Sequence, residues 1–247
     1  MFDTLAVLLL AHVLADYVFQ SGAMVARKHH PRVLLGHALI VWLCAVALIG
    51  TLDAWQLAAL AGAHLAIDVI KVYAATHRQA GETAGLYLAD QLAHLVTLAA
   101  VAGFAPDLFA SGVWADLPWM PRACLLLAGA IYTTRAGGFA VGQLMAPFGA
   151  GRPEASLPRG GVMIGLLERG LIYLMFLAGH PAGIGFLIAA KSILRFESGS
   201  KDSATAEYVI IGTLASFGWA IAVSLGIWAI HNGMIGAPLL EIMGTSD

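Results

Sequence analysis

Histidine and aspartate residues recur at a spacing of four in three stretches of the first hundred residues. The pairs are His12 and Asp16 in LLLAHVLADYVFQ, His64 and Asp68 in AGAHLAIDVIK, and Asp90 and His94 in LADQLAHL. Residues four apart lie on one face of an α-helix, one turn from each other. Each pair can therefore present an imidazole and a carboxylate to the same ligand, and His37 adds an imidazole from the stretch between the first two pairs.

Imidazole and carboxylate together are the ligand set for zinc, iron or manganese. Three histidines with one or more aspartates suit a single catalytic metal, and all seven groups could hold two ions. We predict His12, His64, Asp68 and His94 as metal ligands. The catalytic assignments are Asp16, His37 and Asp90, as further ligands, orienting groups or the general base. Such a metal would activate water for hydrolysis without a protein nucleophile.

The composition places these residues in a membrane protein. The chain has 247 residues, of which 60% are apolar and 11% charged, whereas about a quarter of the residues in a soluble domain are charged. This excludes a soluble enzyme and a disordered chain. The net charge of −2 gives no basic field, so nucleic acid is not expected as a partner. The predicted fold class is an all-α, polytopic integral membrane helix bundle.

Hydropathy predicts about eight transmembrane segments, each near the length that spans a bilayer. They are 2–20, 33–50, 55–76, 85–104, 121–146, 161–179, 181–196 and 205–230. The seventh is short and could be re-entrant. We predict two domains, a four-helix His/Asp-bearing membrane domain over 1–105 and a C-terminal four-segment extension over 106–247.

Lysine and arginine concentrate in alternate loops, above all in the connection that contains Arg27, Lys28 and Arg32. Because such loops are retained in the cytoplasm, the pattern predicts an inner (plasma) membrane protein with both termini outside. All seven His and Asp residues then share a layer in the cytoplasmic half of the membrane. Lys71, one turn after Asp68, is expected to pair with it or to reach the inner surface.

The second half of the chain carries mainly positive charges. Arg135, Arg169, Lys191 and Arg195 are predicted to bind an anionic head group, because arginine makes bidentate contacts with phosphate and carboxylate. The alternative is ion pairing, with Glu168 or Glu207 against Arg169 or Lys191, together with snorkelling to the inner leaflet.

At HVLADYVFQ, HLAIDVIK and DQLAHL the chain resembles an uncharacterised family of bacterial inner-membrane proteins, domain of unknown function 3307. The resemblance covers about the first 105 residues. The matching positions are His12, Asp16, Phe19, Gln20, His37, His64, Asp68, Asp90, Gln91 and His94. The second half looks like the extension of longer family members. The resemblance implies an inner-membrane protein and no particular activity.

Three functions remain open. The leading hypothesis is a metal-dependent membrane enzyme, a hydrolase that acts on a lipid or lipid-linked substrate from the cytoplasmic leaflet. The same residues could instead relay protons in a proton- or ion-coupled transporter. The protein could also be a non-catalytic membrane scaffold or accessory subunit, with the polar residues as interhelical hydrogen bonds.

Overall fold

The structure is a computed structural model that describes residues 1–77, 83–151, 159–197 and 203–235, without the side chains of 150, 151, 192–197 and 235. Throughout these ranges the regular secondary structure is helical. The predicted all-α class of a polytopic membrane bundle is therefore confirmed.

The helices follow one another with short connections. In the first part of the chain they are α1 (Phe2–Leu14), a π-helical turn (Ala15–Phe19), α2 (Gly22–Ala26), α3 (Pro31–Ile49), α4 (Trp55–His77) and α5 (Ala84–Phe104). Next come α6 (Met120–Ile131), a second π-helical turn (Tyr132–Ala136) and α7 (Gly137–Met145). The last three are α8 (Gly160–Leu177), α9 (Ala182–Glu197) and α10 (Ser203–Ile235).

Seven helical stretches in the described residues are long and apolar enough to cross a membrane. They are Phe2–Phe19, Pro31–Ile49, Trp55–His77, Ala84–Phe104, Met120–Gly149, Gly160–Leu177 and Ser203–Met234. The predicted seventh segment forms α9, but its apolar part is only Ala182–Lys191, because Lys191 ends the apolar run. The count of long spanning helices is thus seven rather than eight. Placing both termini outside would require α9 to cross as well.

The chain packs as two units, one made of Met1–Ile131 with Gly226–Asp247 and the other of Tyr132–Leu225. In the first unit α1 packs against α3, α5 and α6, and α4 packs against α3 and α5. Since α1 is surrounded, it is apolar on almost every face. The packed units differ from the predicted domains, 1–105 and 106–247, because α6 joins α1. The domain division itself stays a prediction.

One end of the first unit is closed by apolar side chains. Val7, Leu8, Ile49 and Leu57 are fully buried there. Thr4 is also buried, and its hydroxyl donates to the Pro106 carbonyl at 2.8 Å and accepts from the Phe109 N–H. This end contains the start of α1 and the α3–α4 connection, and therefore lies opposite the basic connection between α2 and α3.

The second unit contains a buried arginine. Arg169 in α8 is 4% exposed. Its Nε and Nη2 donate to the Thr134 carbonyl at 3.2 and 2.9 Å, and its Nη1 donates to Ser216 Oγ at 3.0 Å. Thr134 lies in the π-helical turn, where the change from i+4 to i+5 hydrogen bonding leaves a carbonyl free to accept from a side chain.

Glycines create the space for this contact, and they provide a stability test. A Cβ on Gly137 would lie 2.6 Å from Trp219 Cδ1 and 2.8 Å from Arg169 Cδ, whereas a Cβ on Gly142 would meet nothing within 4 Å. We expect Gly137→Ala to lower the free energy of unfolding by about 1–3 kcal/mol through overpacking. Gly142→Ala, its matched control, should be neutral or stabilising by up to about 1 kcal/mol. Unfolding of detergent-purified protein measures both, and equal effects would contradict the close packing.

Candidate metal centre

Four helices of the first unit bring the seven predicted side chains together. His12 comes from α1, Asp16 from the following π-helical turn, His37 from α3, His64 and Asp68 from α4, and Asp90 and His94 from α5. All except Asp16 are at most 5% exposed, and the Asp16 side chain is 8% exposed. His37 and Asp90 each lie six residues into their helix, about 9 Å along the axis. The shared layer predicted from the spacing is thus present.

The closest group of ligand atoms is formed by His37, His64 and Asp16. The two Nε2 atoms are 3.1 Å apart, and Asp16 Oδ1 lies 3.2 Å from His37 Nε2 and 3.4 Å from His64 Nε2. Zinc bonds of about 2.0–2.1 Å in a tetrahedral site place neighbouring ligand atoms about 3.3–3.4 Å apart. Asp68 Oδ2 approaches the same two imidazoles at 3.7 and 3.6 Å. These separations suit a transition metal.

His12 and His94 extend the cluster on the other side of Asp16. Asp16 Oδ2 is 3.9 Å from His12 Nδ1, the His12 and His94 rings are 5.2 Å apart, and the His94 ring stacks on His64 at 4.0 Å. Three sets have ligand atoms within 4.8 Å of one another: His12, Asp16 and His94; Asp16, His37 and His64; and His64, Asp68 and His94. Each set has two imidazoles and one carboxylate, and Asp16 belongs to two of them. One carboxylate could therefore serve two ions.

Several polar atoms of the cluster have no hydrogen-bond partner among the described residues. They are His12 Nε2, His37 Nδ1, both ring nitrogens of His94, Asp68 Oδ2 and Asp90 Oδ1. Buried polar atoms are rarely left in this state. A cavity next to His12, His64 and His94 has space for about one water molecule. The donor set and its unpaired atoms therefore fit a bound metal with a water beside it.

Asp90 is held differently from the other carboxylates. Its Oδ2 accepts from Lys71 Nζ at 3.1 Å and from Gln91 Nε2 at 3.2 Å, and its Oδ1 is 3.9 Å from His94 Nδ1. It belongs to none of the three sets. Of the roles predicted for Asp90, this position favours orienting His94.

Two lysines complete the site, and the sequence gave only a partial signal for them. Lys71 pairs with Asp90 rather than with Asp68, because Asp68 already accepts from Lys28 Nζ at 2.7 Å. Lys28 lies in the connection between α2 and α3, and its charge indicated only the cytoplasmic side of the membrane. No local spacing links Lys28 to Asp68, which lies 40 residues away.

A second contact that the sequence reasoning missed joins two tyrosines. The Tyr17 and Tyr87 hydroxyls are 2.7 Å apart and buried, and Lys71 Nζ lies 5.6 Å from the centre of the Tyr87 ring. The pair therefore links the π-helical turn that carries Asp16 to the helix that carries Asp90 and His94.

The basic residues predicted as a head-group cradle have separate surroundings. Arg135 is exposed, Arg169 is buried against Thr134 and Ser216, and Lys191 Nζ donates to Glu168 at 2.6 Å. The side chain of Arg195 lies outside the described residues. As the structure places them, the three described side chains do not form one cradle, and for Lys191 the alternative of ion pairing is what is found. Their role in head-group binding stays a prediction.

Residues 4–114 match the model of a family described as "Protein of unknown function (DUF3307)". The match spans α1 to α5 and includes all seven residues of the cluster, and it confirms the resemblance seen in the sequence. Neither a curated protein nor a solved structure matches the chain. An argument about function therefore depends on the geometry of the cluster.

Proposed function

We propose that this protein is an integral membrane metalloenzyme, a hydrolase that acts on a lipid or lipid-linked substrate from the cytoplasmic leaflet. One observation carries the proposal. Four imidazoles and two carboxylates from four helices form overlapping sets of ligand atoms within 4.8 Å, buried in the apolar part of the bundle. Ionisable groups at this depth are costly unless they serve a function or are paired.

The composition of the ligand sets supports catalysis over a purely structural metal. Each set supplies two imidazoles and one carboxylate, and three protein ligands leave a coordination position open for water or substrate. A bound metal supplies Lewis-acid activation of that water. The chain would contribute Asp16, His37 and His64 as ligands, Asp68 as a ligand or proton acceptor, and Asp90 to orient His94.

The cluster opens toward one side of the bundle, which supports an enzyme over a transporter. Toward the basic connection it continues through Asp68 to Lys28, which is 14% exposed. Toward the other end, the buried side chains Leu8, Ile49 and Leu57 are apolar. A proton path across the membrane would have to pass this layer, whereas a hydrolase needs access from one side only. The orientation toward the cytoplasm follows from the basic loops.

Elemental analysis of the purified protein tests the proposal. We expect at least one equivalent of zinc, iron or manganese, and a chelator should abolish hydrolysis of lipid phosphoesters in vesicles until the metal is restored. Protein with no stoichiometric metal, whose His64→Ala variant folds unchanged, would contradict the proposal. A pH-driven flux in liposomes that Asp68→Asn abolishes would support the transporter instead.

A further inference from the structure

Two ammonium groups form the accessible edge of the cluster. Lys28 and Lys71 have side chains 14% and 16% exposed, whereas the carboxylates that they contact, Asp68 and Asp90, are 2% and 3% exposed. A molecule that enters from the side of the basic connection therefore meets the two lysines before it reaches the imidazoles. Neither lysine was predicted as a site residue.

Lys28 points into the site rather than toward the membrane surface. A lysine at the end of a membrane helix usually extends its ammonium group toward water. Arg27 and Arg32, in the same connection, are exposed, but Lys28 Nζ lies 2.7 Å from a carboxylate that is almost fully buried. The position of Lys28 thus has a purpose other than retention of the loop in the cytoplasm.

The charges of the cluster indicate what these lysines could bind. Asp16, Asp68 and Asp90 together with Lys28 and Lys71 leave one net negative charge when the imidazoles are neutral. One divalent cation turns this into one net positive charge, and a second ion raises it further. Because unbalanced charge is unfavourable at low dielectric, the metal-loaded centre should take up an anion at its accessible edge.

We infer that Lys28 and Lys71 bind a phosphate group next to the metal centre. Lysine binds phosphate as a point charge with three donors, and a tetrahedral anion has enough oxygens to contact both lysines and a metal. The inference rests on the proposed metal site, since the metal supplies the excess positive charge. The phosphate could belong to a lipid head group or be free in solution.

The test uses full-length protein in phosphatidylcholine nanodiscs, with metal content measured on every sample. Inorganic phosphate is titrated by equilibrium dialysis, and phosphatidic acid is titrated against phosphatidylcholine by native mass spectrometry. We expect at least one probe to bind saturably, and Lys28→Gln with Lys71→Gln to weaken that binding at least ~10-fold. Binding of phosphatidic acid alone assigns the site to a lipid head group, and binding of inorganic phosphate alone assigns it to free phosphate.

Two matched variants show whether the effect is local. Arg27→Gln removes an exposed charge from the same connection and should change the affinity less than ~3-fold. Lys28→Arg with Lys71→Arg keeps both charges and should retain most of the binding. Unchanged affinity in the double glutamine variant, or no saturable binding of either probe, overturns the inference. Absence of metal in the wild type contradicts the proposed function separately, because phosphate binding is measured independently of metal.

Discussion

Replacing His64 with alanine is expected to lower the affinity for metal at least ~100-fold, since this imidazole belongs to two of the three ligand sets. Its Nε2 lies within 3.1–3.6 Å of His37 Nε2, Asp16 Oδ1 and Asp68 Oδ2, so its loss removes the centre of the cluster. Competition titration with a chromogenic chelator gives the affinity, and elemental analysis gives the retained metal.

The control for this variant lies on the same helix. His77 ends α4 and is exposed, so His77→Ala should leave metal affinity unchanged. His64→Gln fills more of the space and keeps a polar side chain, which separates metal loss from misfolding. If both His64 variants elute as folded protein and retain full metal, His64 is not a ligand.

The second large effect is expected for Asp16→Asn. Asp16 contacts three imidazoles, with Oδ1 facing His37 and His64 and Oδ2 facing His12. Asparagine keeps the shape but removes the negative charge that a divalent cation requires, so we expect at least a ~100-fold loss of metal affinity and a parallel loss of hydrolysis. Calorimetric titration of zinc into chelator-treated protein measures the first, and vesicle hydrolysis measures the second.

Asp3→Asn is the matched control for Asp16, because Asp3 lies on α1 but is exposed. It should bind zinc like the wild type. A wild type that binds no zinc, combined with a proton flux that Asp16→Asn abolishes, would assign the same residues to a relay. Equal zinc affinity of the Asp16→Asn and Asp3→Asn variants would exclude Asp16 as a ligand.

The π-helical turn gives Asp16 its place in the site. Ala15–Phe19 follows α1 without a break and ends in the extended residue Gln20. Such turns change the direction of side chains relative to a regular helix and often occur at functional positions. The short helix α2 then begins at Gly22, with Ser21 accepting from the Met24 N–H, and the chain leads to Lys28. The end of α1 thus provides one ligand and directs the connection that carries a second charged group.

The helices and the cluster could be predicted largely because they depend on local rules. A run of about twenty apolar residues is long enough to span a bilayer, and a spacing of four places His12 with Asp16, or His64 with Asp68, on one helix face. The reversed order at Asp90 and His94 brings them to the same depth, since neighbouring helices run in opposite directions. No distant contact is needed for any of these conclusions.

The partners of the charged groups depend on the tertiary structure. Lys28 and Asp68 are 40 residues apart, and Arg169 contacts a carbonyl 35 residues away. Their pairing follows from how helices pack, and packing is not encoded in a spacing within one segment. For the same reason the sequence indicated a basic cradle in the second half, whereas the structure places Arg135, Arg169 and Lys191 in three different surroundings.

By itself, the sequence determined that this chain is a bundle of membrane helices and that seven ionisable side chains lie at one depth. Apolar length and helical periodicity suffice for that. Only the tertiary structure decided which atoms of those side chains approach one another and which lysines pair with them. It also decided that α6 packs against α1 and that α9 has a short apolar part. These features depend on contacts between helices, whose free energy is set by shape and charge across the whole packed unit rather than by any single segment.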